Sequence, residues 1–203
     1  MQGLYLVTPN WDDTDALIAA TEQALRAGAA LLQYRHKSAS PALRRVQAAQ
    51  LLVLCRDYQR PFIINDHLEL CLALDADGVH VGGTDACVAE ARRVLGDEKI
   101  VGASCYGERQ LALDACANGA SYVAFGGFYP SKVKQYPVTT TPDIVSWAKE
   151  AIALPCVVIG GMTADNAAPL VARGADMVAA ISSVYGAPQI DLATQAFARL
   201  FIR

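Results

Sequence analysis

The sequence predicts a (β/α)8 TIM barrel occupying residues 1–203 as one domain. Three observations carry this. Short β-branched or aliphatic runs alternate with segments of helical period and the alternation never lapses; the runs number eight; and no second domain interrupts them. Each unit takes roughly 25 residues, a compact version of that barrel. An open doubly wound sheet uses the same local units, but eight evenly spaced ones favour closure. With 203 residues, 53% hydrophobic and 18% charged, the chain can bury a large core.

In order, the strands are Leu4 to Thr8 (LYLVT), Leu31 to Arg35 (LLQYR), Phe62 to Asn65 (FIIN) and Gly78 to Val81 (GVHV). They continue with Ile100 to Ser104 (IVGAS), Tyr122 to Gly126 (YVAFG), Cys156 to Gly160 (CVVIG) and Met177 to Ser182 (MVAAIS). Helices fill the gaps. Ser40-Pro41 and Thr141-Pro142 each place a capping residue before a proline at the first helical position, and Gly28, Gly96, Gly119 and Gly174 stand where a helix should stop. Three of these stops share one pattern, GAALLQY, GASYVAF and GADMVAA, with ADGVHV a looser relative: a weak internal repeat of one supersecondary unit.

A net charge of −3 argues against a general nucleic-acid binder, so an anionic ligand must be met by local cations. No apolar run approaches the roughly 18 residues of a membrane span, and the chain is expected to be cytoplasmic. The six cysteines form no C-x-x-C pair, which suggests neither a zinc site nor a disulfide framework. Cys105, beside Ser104, has no evident base to activate it and is expected to pack as a small hydrophobe.

In this fold, polar residues at the carboxyl ends of strands face the ligand. Gln33, Arg35 and Lys37 follow the second strand, Asn65 and Asp66 the third, Asp85 the fourth and Ser104 the fifth. Ser131, Lys132 and Lys134 follow the sixth, Gly160 and Gly161 the seventh, Ser182 and Ser183 the eighth. Arg35, Lys37 and Lys134 suit phosphate oxygens. Asp66 and Asp85 would repel each other beside a phosphate unless a cation such as Mg²⁺ bridged them to it. Glycines after the seventh strand and small residues after the eighth let backbone N–H groups approach a second phosphate. Each feature has a plainer reading: a salt-bridged strand end for Gln33 to Lys37, a helix N-cap for Asp66, a tight turn for Gly160-Gly161. His36 and His67 read as exposed loop residues and His80 as a barrel filler. The long segment Phe128 to Thr141 reads as a substrate-covering loop.

The ordered set QYRHK (33–37), INDH (64–67), ADGVHVGGTD (76–85), GASCY (102–106), FYPSKVK (128–134) and IGGMTADN (159–166) closely resembles the thiamine phosphate synthase family over nearly the whole chain. The resemblance implies a Mg²⁺-dependent transferase that joins an aminopyrimidine methyl diphosphate to a thiazole phosphate or its carboxylate and releases pyrophosphate. By position it implies that Gln33, Tyr34, Arg35, His36, Lys37, Asn65, Ser104 and Lys134 contact the pyrimidine diphosphate, with Arg35, Lys37 and Lys134 stabilising the departing charge. It implies Asp66 and Asp85 as metal ligands, and Ser131, Lys132, Val133, Gly161, Ile181 and Ser182 as thiazole phosphate contacts. Gly83 and Val133 depart from the family's usual Gln and Thr. A related thiazole tautomerase would not need the cations and carboxylates together, and a barrel that only binds a thiamine precursor is favoured only by those two departures. The expected partners are small-molecule substrates; a homo-oligomer is compatible with the sequence.

Overall fold

The computed structural model describes residues 1–82, 88–131 and 139–202. Eight parallel strands close into a barrel in chain order: β1 (Gly3–Val7), β2 (Leu31–Tyr34), β3 (Phe62–Asn65), β4 (Gly78–Gly82), β5 (Ile100–Tyr106), β6 (Tyr122–Gly126), β7 (Cys156–Ile159) and β8 (Met177–Ala180). The closing pair is β1 with β8, Tyr5 opposite Ala179, so the doubly wound alternative is excluded. Between them lie α1 (Thr14–Arg26), α2 (Pro41–Asp57), α3 (Leu68–Leu74), α4 (Val88–Leu95), α5 (Arg109–Ala117), α6 (Asp143–Ala151) and α7 (Ala164–Ala172); β8 is followed by a short α8 (Ser182–Tyr185) and by α9 (Ile190–Arg199). No helix of the described residues is long and apolar enough to cross a membrane.

Strand parity divides the core in two. Leu4 and Leu6 of β1 and Phe62 and Ile64 of β3 pack outward under the helices, while Tyr5, Val7, Leu31, Ile63, Tyr122, Val157 and Met177 fill the barrel. That alternation sends Gln33, Asn65, His80 and Ser104 to the inner face. Room for the interior tyrosine comes from Gly102, opposite Tyr122, where a Cβ would collide with the phenol ring.

The caps follow the sequence. Ser40 accepts from the Leu43 N–H with Pro41 at the first helical position. At α6 the entry shifts by one residue: the Ile144 N–H bonds to the Thr141 carbonyl in a tight first turn, and Pro142 rather than Thr141 holds the cap position. Gly28, Gly96, Gly119 and Gly174 all have positive φ, as helix-stopping glycines do. The internal repeat also has a physical basis. In two of the three Gly-Ala copies, and in the looser one, the residue after this pair of positions places its side chain on a neighbouring strand's first free N–H: Asp176 on Cys156, Ser121 on Val101 and Asp77 on Phe62, whereas the first copy has Ala30 there. These bonds lie at the amino ends of the strands, the face that serves stability in such barrels.

Candidate active site

The carboxyl ends of the strands surround a cavity of about 410 Å³, within the range of small-molecule sites. Gln33, Arg35, Lys37, Asn65, Asp66 and Ser104 line one part of it. Ser131, Gly161, Ile181 and Ser182 line the other. Asp85, Lys132, Val133 and Lys134 lie outside the described residues.

Arg35 is held by its backbone: the fully buried Thr8 hydroxyl accepts from the Arg35 N–H at 2.8 Å and donates to its carbonyl at 3.2 Å. Lys37 donates its N–H to the Asn10 side chain at 3.3 Å and sets its ammonium 3.6 Å from Asp66 Oδ2. Both cations line the cavity mouth, Arg35 buried and Lys37 exposed and salt-bridged to Asp66.

Asp66 does not cap α3. The capping position belongs to His67, which makes no side-chain cap bond. Instead the His67 N–H bonds back to the Asn65 carbonyl at 2.8 Å, a three-residue turn with Asp66 at its centre at φ +63°. Asp tolerates that left-handed value better than most residues, yet it costs energy, and such strain concentrates at functional sites. The turn is pinned by the Asp66 N–H on the His80 carbonyl, 3.0 Å. It turns the carboxylate into the cavity, where Oδ2 accepts from Asn65 Nδ2 at 2.6 Å. No group of three or more His, Cys, Asp or Glu forms a metal cluster among the described residues. A magnesium ion fits nonetheless, because it commonly takes one or two carboxylates and completes its shell with substrate oxygens and water.

The floor of the cavity is a continuous polar chain. Gln33 Nε2 donates to the Tyr5 hydroxyl at 2.6 Å, Tyr5 meets the Tyr122 hydroxyl at 2.6 Å, Tyr122 meets His80 Nδ1 at 2.9 Å, and His80 Nε2 meets Ser104 Oγ at 2.9 Å. The rings reinforce it, Tyr5 edge-on to Tyr122 and His80 stacked on Tyr122. Burial drives the pKa of both phenols upward, so they remain protonated donors across the working pH range. Sequence reasoning missed Tyr5 and Tyr122 and took His80 for a filler. The available signal was parity, since Tyr5 shares the inner face with Val7 and His80 with Gly78 and Gly82.

On the other side, Gly161 at φ +62° brings its strand end against the loop after β6; a Cβ there would overlap the Pro130 carbonyl oxygen. Asn166 ties the two loops together. Its side chain donates to the Gly161 carbonyl at 2.9 Å and accepts from the Thr163 N–H at 2.8 Å, and its carbonyl accepts from the Tyr129 hydroxyl at 2.9 Å. Gly161 therefore does more than make a turn, because it lets two ligand-facing loops touch.

Two of the expected contacts point elsewhere. Tyr34 has outward parity and donates its hydroxyl to the buried Gln47 at 3.0 Å. His36 is not an exposed loop residue: it is 4% exposed, with Nε2 3.1 Å from Asp12. Both face a side cavity of about 310 Å³ that also meets Lys37, Asn65 and Asp66. His67 is exposed as expected. Cys105 is buried, and its thiol is pushed up to about 12 by burial, which leaves it no nucleophilic thiolate.

Residues 4–184 match the family described as thiamine monophosphate synthase. A thiamine-phosphate synthase of Janthinobacterium sp. (strain Marseille) is 63% identical over 203 residues, covering 100% of this chain and 98% of that one. Its counterpart from Aromatoleum aromaticum is 46% identical over 201 residues, covering 99% and 97%. Among solved structures, a thiamine phosphate pyrophosphorylase from Pyrococcus furiosus superposes with a TM-score of 0.86 at 30% identity, over 98% of this chain and 95% of that one. A 3-hexulose-6-phosphate synthase at 16% identity and TM-score 0.74 shares the fold.

Proposed function

The chain belongs to the thiamine monophosphate synthase family, and from that premise we propose how its mouth residues divide two phosphate-bearing substrates between them. Its activity is that of a thiamine-phosphate synthase, a transferase of thiamine biosynthesis. The observation that supports the division most is the Asn65–Asp66–Lys37 cluster beside the Gln33 and Ser104 ends of the floor, all on one cavity.

In this reading the aminopyrimidine methyl diphosphate lies over the floor, with its diphosphate toward Arg35, Lys37, Asn65 and Lys134. Asp66 and, as the family resemblance implies, Asp85 would hold Mg²⁺, which would supply charge neutralisation to the diphosphate as a leaving group. Arg35 and Lys37 are anchored before the substrate arrives, so they stabilise the departing charge with little reorganisation. The thiazole phosphate takes the other half, its phosphate against Ser131, Gly161, Ile181 and Ser182, with its ring nitrogen facing the methylene carbon. That nitrogen attacks as the carbon–oxygen bond to pyrophosphate breaks, and the electron-rich aminopyrimidine supports the positive methylene. No protein nucleophile is required.

The test is to mix both substrates with Mg²⁺ and follow thiamine phosphate and pyrophosphate for the wild type and Asp66→Asn. Asparagine keeps the tolerance for positive φ but loses the charge. The variant should fold normally and lose at least about a hundredfold in kcat/KM, the scale of a lost preorganised electrostatic contact. Full Mg²⁺-dependent turnover by Asp66→Asn would refute the metal assignment.

A further inference from the structure

We propose that Asn166, which does not line the cavity, is a positioning residue for the thiazole phosphate: it holds the Gly161–Met162 peptide with its carbonyl turned outward and so presents the Met162 N–H to the anion. The proposal rests on the reading that the thiazole phosphate lies against Gly161.

The Asn166 side-chain amide is oriented by backbone groups whose polarity cannot change. Its Oδ1 accepts from the Thr163 N–H at 2.8 Å, which can only donate, and its Nδ2 donates to the Gly161 carbonyl at 2.9 Å, which can only accept. A flipped amide would lose both bonds. The backbone of Asn166 is held as well. Its N–H donates to Thr163 Oγ1 at 3.2 Å, closing a capping box at the start of α7, and its carbonyl accepts from the hydroxyl of Tyr129, on the loop after β6, at 2.9 Å.

Glycine makes this hold necessary. Gly160 and Gly161 have φ of +112° and +62°, and a glycine exchanges backbone orientations at little steric cost. The Gly-Gly pair therefore does not itself select which way the next peptide faces; the bond from Asn166 does. That peptide is trans, so its C=O and N–H point in opposite directions. With the Gly161 carbonyl turned to Asn166, the Met162 N–H points away from Asn166. Gly160, Gly161 and Met162 line the cavity and Asn166 lies outside it, which makes this the ligand side. Neither the Gly161 nor the Met162 N–H has a hydrogen-bond partner among the described residues. Successive N–H groups left open by such a turn form the concave donor sets that take phosphates.

Asn166→Ala removes the hold on the peptide without adding charge. Thr163→Ala is the control, because it breaks the same capping box from the other side and leaves the Asn166 side chain on Gly161. Both should melt lower by roughly 2–4 °C, the scale of a lost cap in a chain of this size. Only Asn166→Ala should raise the KM for the thiazole phosphate, by about ten- to a hundredfold, the scale of one hydrogen bond to a charged group. Its kcat and its KM for the aminopyrimidine diphosphate should stay within about twofold of wild type, the signature of lost binding rather than lost chemistry. A residue that merely capped α7 would give the two variants the same kinetics. Asn166→Asp keeps the acceptor for the Thr163 N–H and loses the donor to Gly161, and it carries the test should Asn166→Ala fold poorly.

Independently of turnover, the Met162 amide resonance of the wild type should shift when thiazole phosphate is titrated in the presence of Mg²⁺ and pyrophosphate, and should stay in place in either Asn166 variant at saturation. An unchanged thiazole phosphate KM in a folded Asn166 variant, equal rises in Asn166→Ala and Thr163→Ala, or a wild-type Met162 amide that stays still while those of Gly161 and Ser182 move, would overturn the positioning role. If none of the Gly161, Ile181 and Ser182 amides moves, the thiazole phosphate lies elsewhere, and the substrate placement falls together with the role of Asn166.

Discussion

Replacing Gly161 by alanine separates two costs that usually arrive together. At φ +62° any L side chain is strained by about 1–2 kcal/mol. In addition, the new Cβ would overlap the Pro130 carbonyl oxygen and lie 3.0 Å from Tyr129 Cβ, where ordinary contact begins at 3.4 Å. A backbone carbonyl cannot swing aside as a flexible side chain can, so the loop carrying Tyr129 to Ser131 must retreat on the order of 1 Å to restore normal separation. Displacements of that size in a positioning element cost about a hundredfold in rate. Gly96→Ala is the control, because its φ is +74° and nothing lies within 4 Å of the added carbon. Both variants should lose the same 1–2 kcal/mol of backbone strain, with Gly161→Ala losing about 1–3 kcal/mol more from overpacking. The assay is steady-state turnover with the thiazole phosphate varied at saturating aminopyrimidine diphosphate, alongside thermal melts. Gly161→Ala should lose about a hundredfold in kcat/KM for the thiazole phosphate while Gly96→Ala keeps wild-type kinetics. Retention of kcat/KM within about threefold by Gly161→Ala would refute the contact between the two loops, given the scale of the expected loss.

Two further outcomes test the frame around the site. Gln47 is fully buried, accepts from the Tyr34 hydroxyl and donates to the Trp11 carbonyl, so Gln47→Ala strands the buried Tyr34 hydroxyl and the part-buried Trp11 carbonyl. It should destabilise by about 3 kcal/mol, seen as a melting temperature lower by roughly 6–12 °C with kinetics little altered; a drop below about 2 °C would contradict the network. The thiols of Cys55, Cys105 and Cys156 are each pushed up to about 12 and that of Cys71 to about 11, by burial above all. At pH 8 these four should resist alkylation in the folded protein, while the exposed Cys116 reacts. The same shifts set an alkaline limit. Above pH 9 the unfolded chain releases thiol protons that the fold retains, so stability should fall as pH rises from about 9 towards 12; flat denaturant midpoints over that range would oppose it.

Much of this protein was legible in one dimension, because its dominant signals are local. The Gly-Ala-x stops and the eight apolar runs describe units that each need a neighbour on either side, and closure is the arrangement that leaves no edge. Strand ends identify the mouth for the same reason, so Gln33, Arg35, Lys37, Asn65, Asp66 and Ser104 could be placed together before any coordinates. What the sequence could not settle was how neighbours share one group. Asp66 reads equally well as a cap or as a cavity carboxylate, and the difference is a turn closed by the next residue's N–H and pinned by the His80 carbonyl on another strand. His36 looks exposed in the sequence, but the fold buries its ring with Nε2 against Asp12, 24 positions earlier.

The floor is the clearest case. Tyr5 and Tyr122 are 117 positions apart, and each alone is an ordinary aromatic in a buried strand. Strand parity, legible in sequence, sends both inward. Only barrel closure, with the space left by Gly102, brings their hydroxyls together and joins Gln33 to Ser104. Local chemistry determined which residues face the substrate; long-range contact decided what each of them can donate or accept, because a hydroxyl has no fixed polarity until its partners are in place.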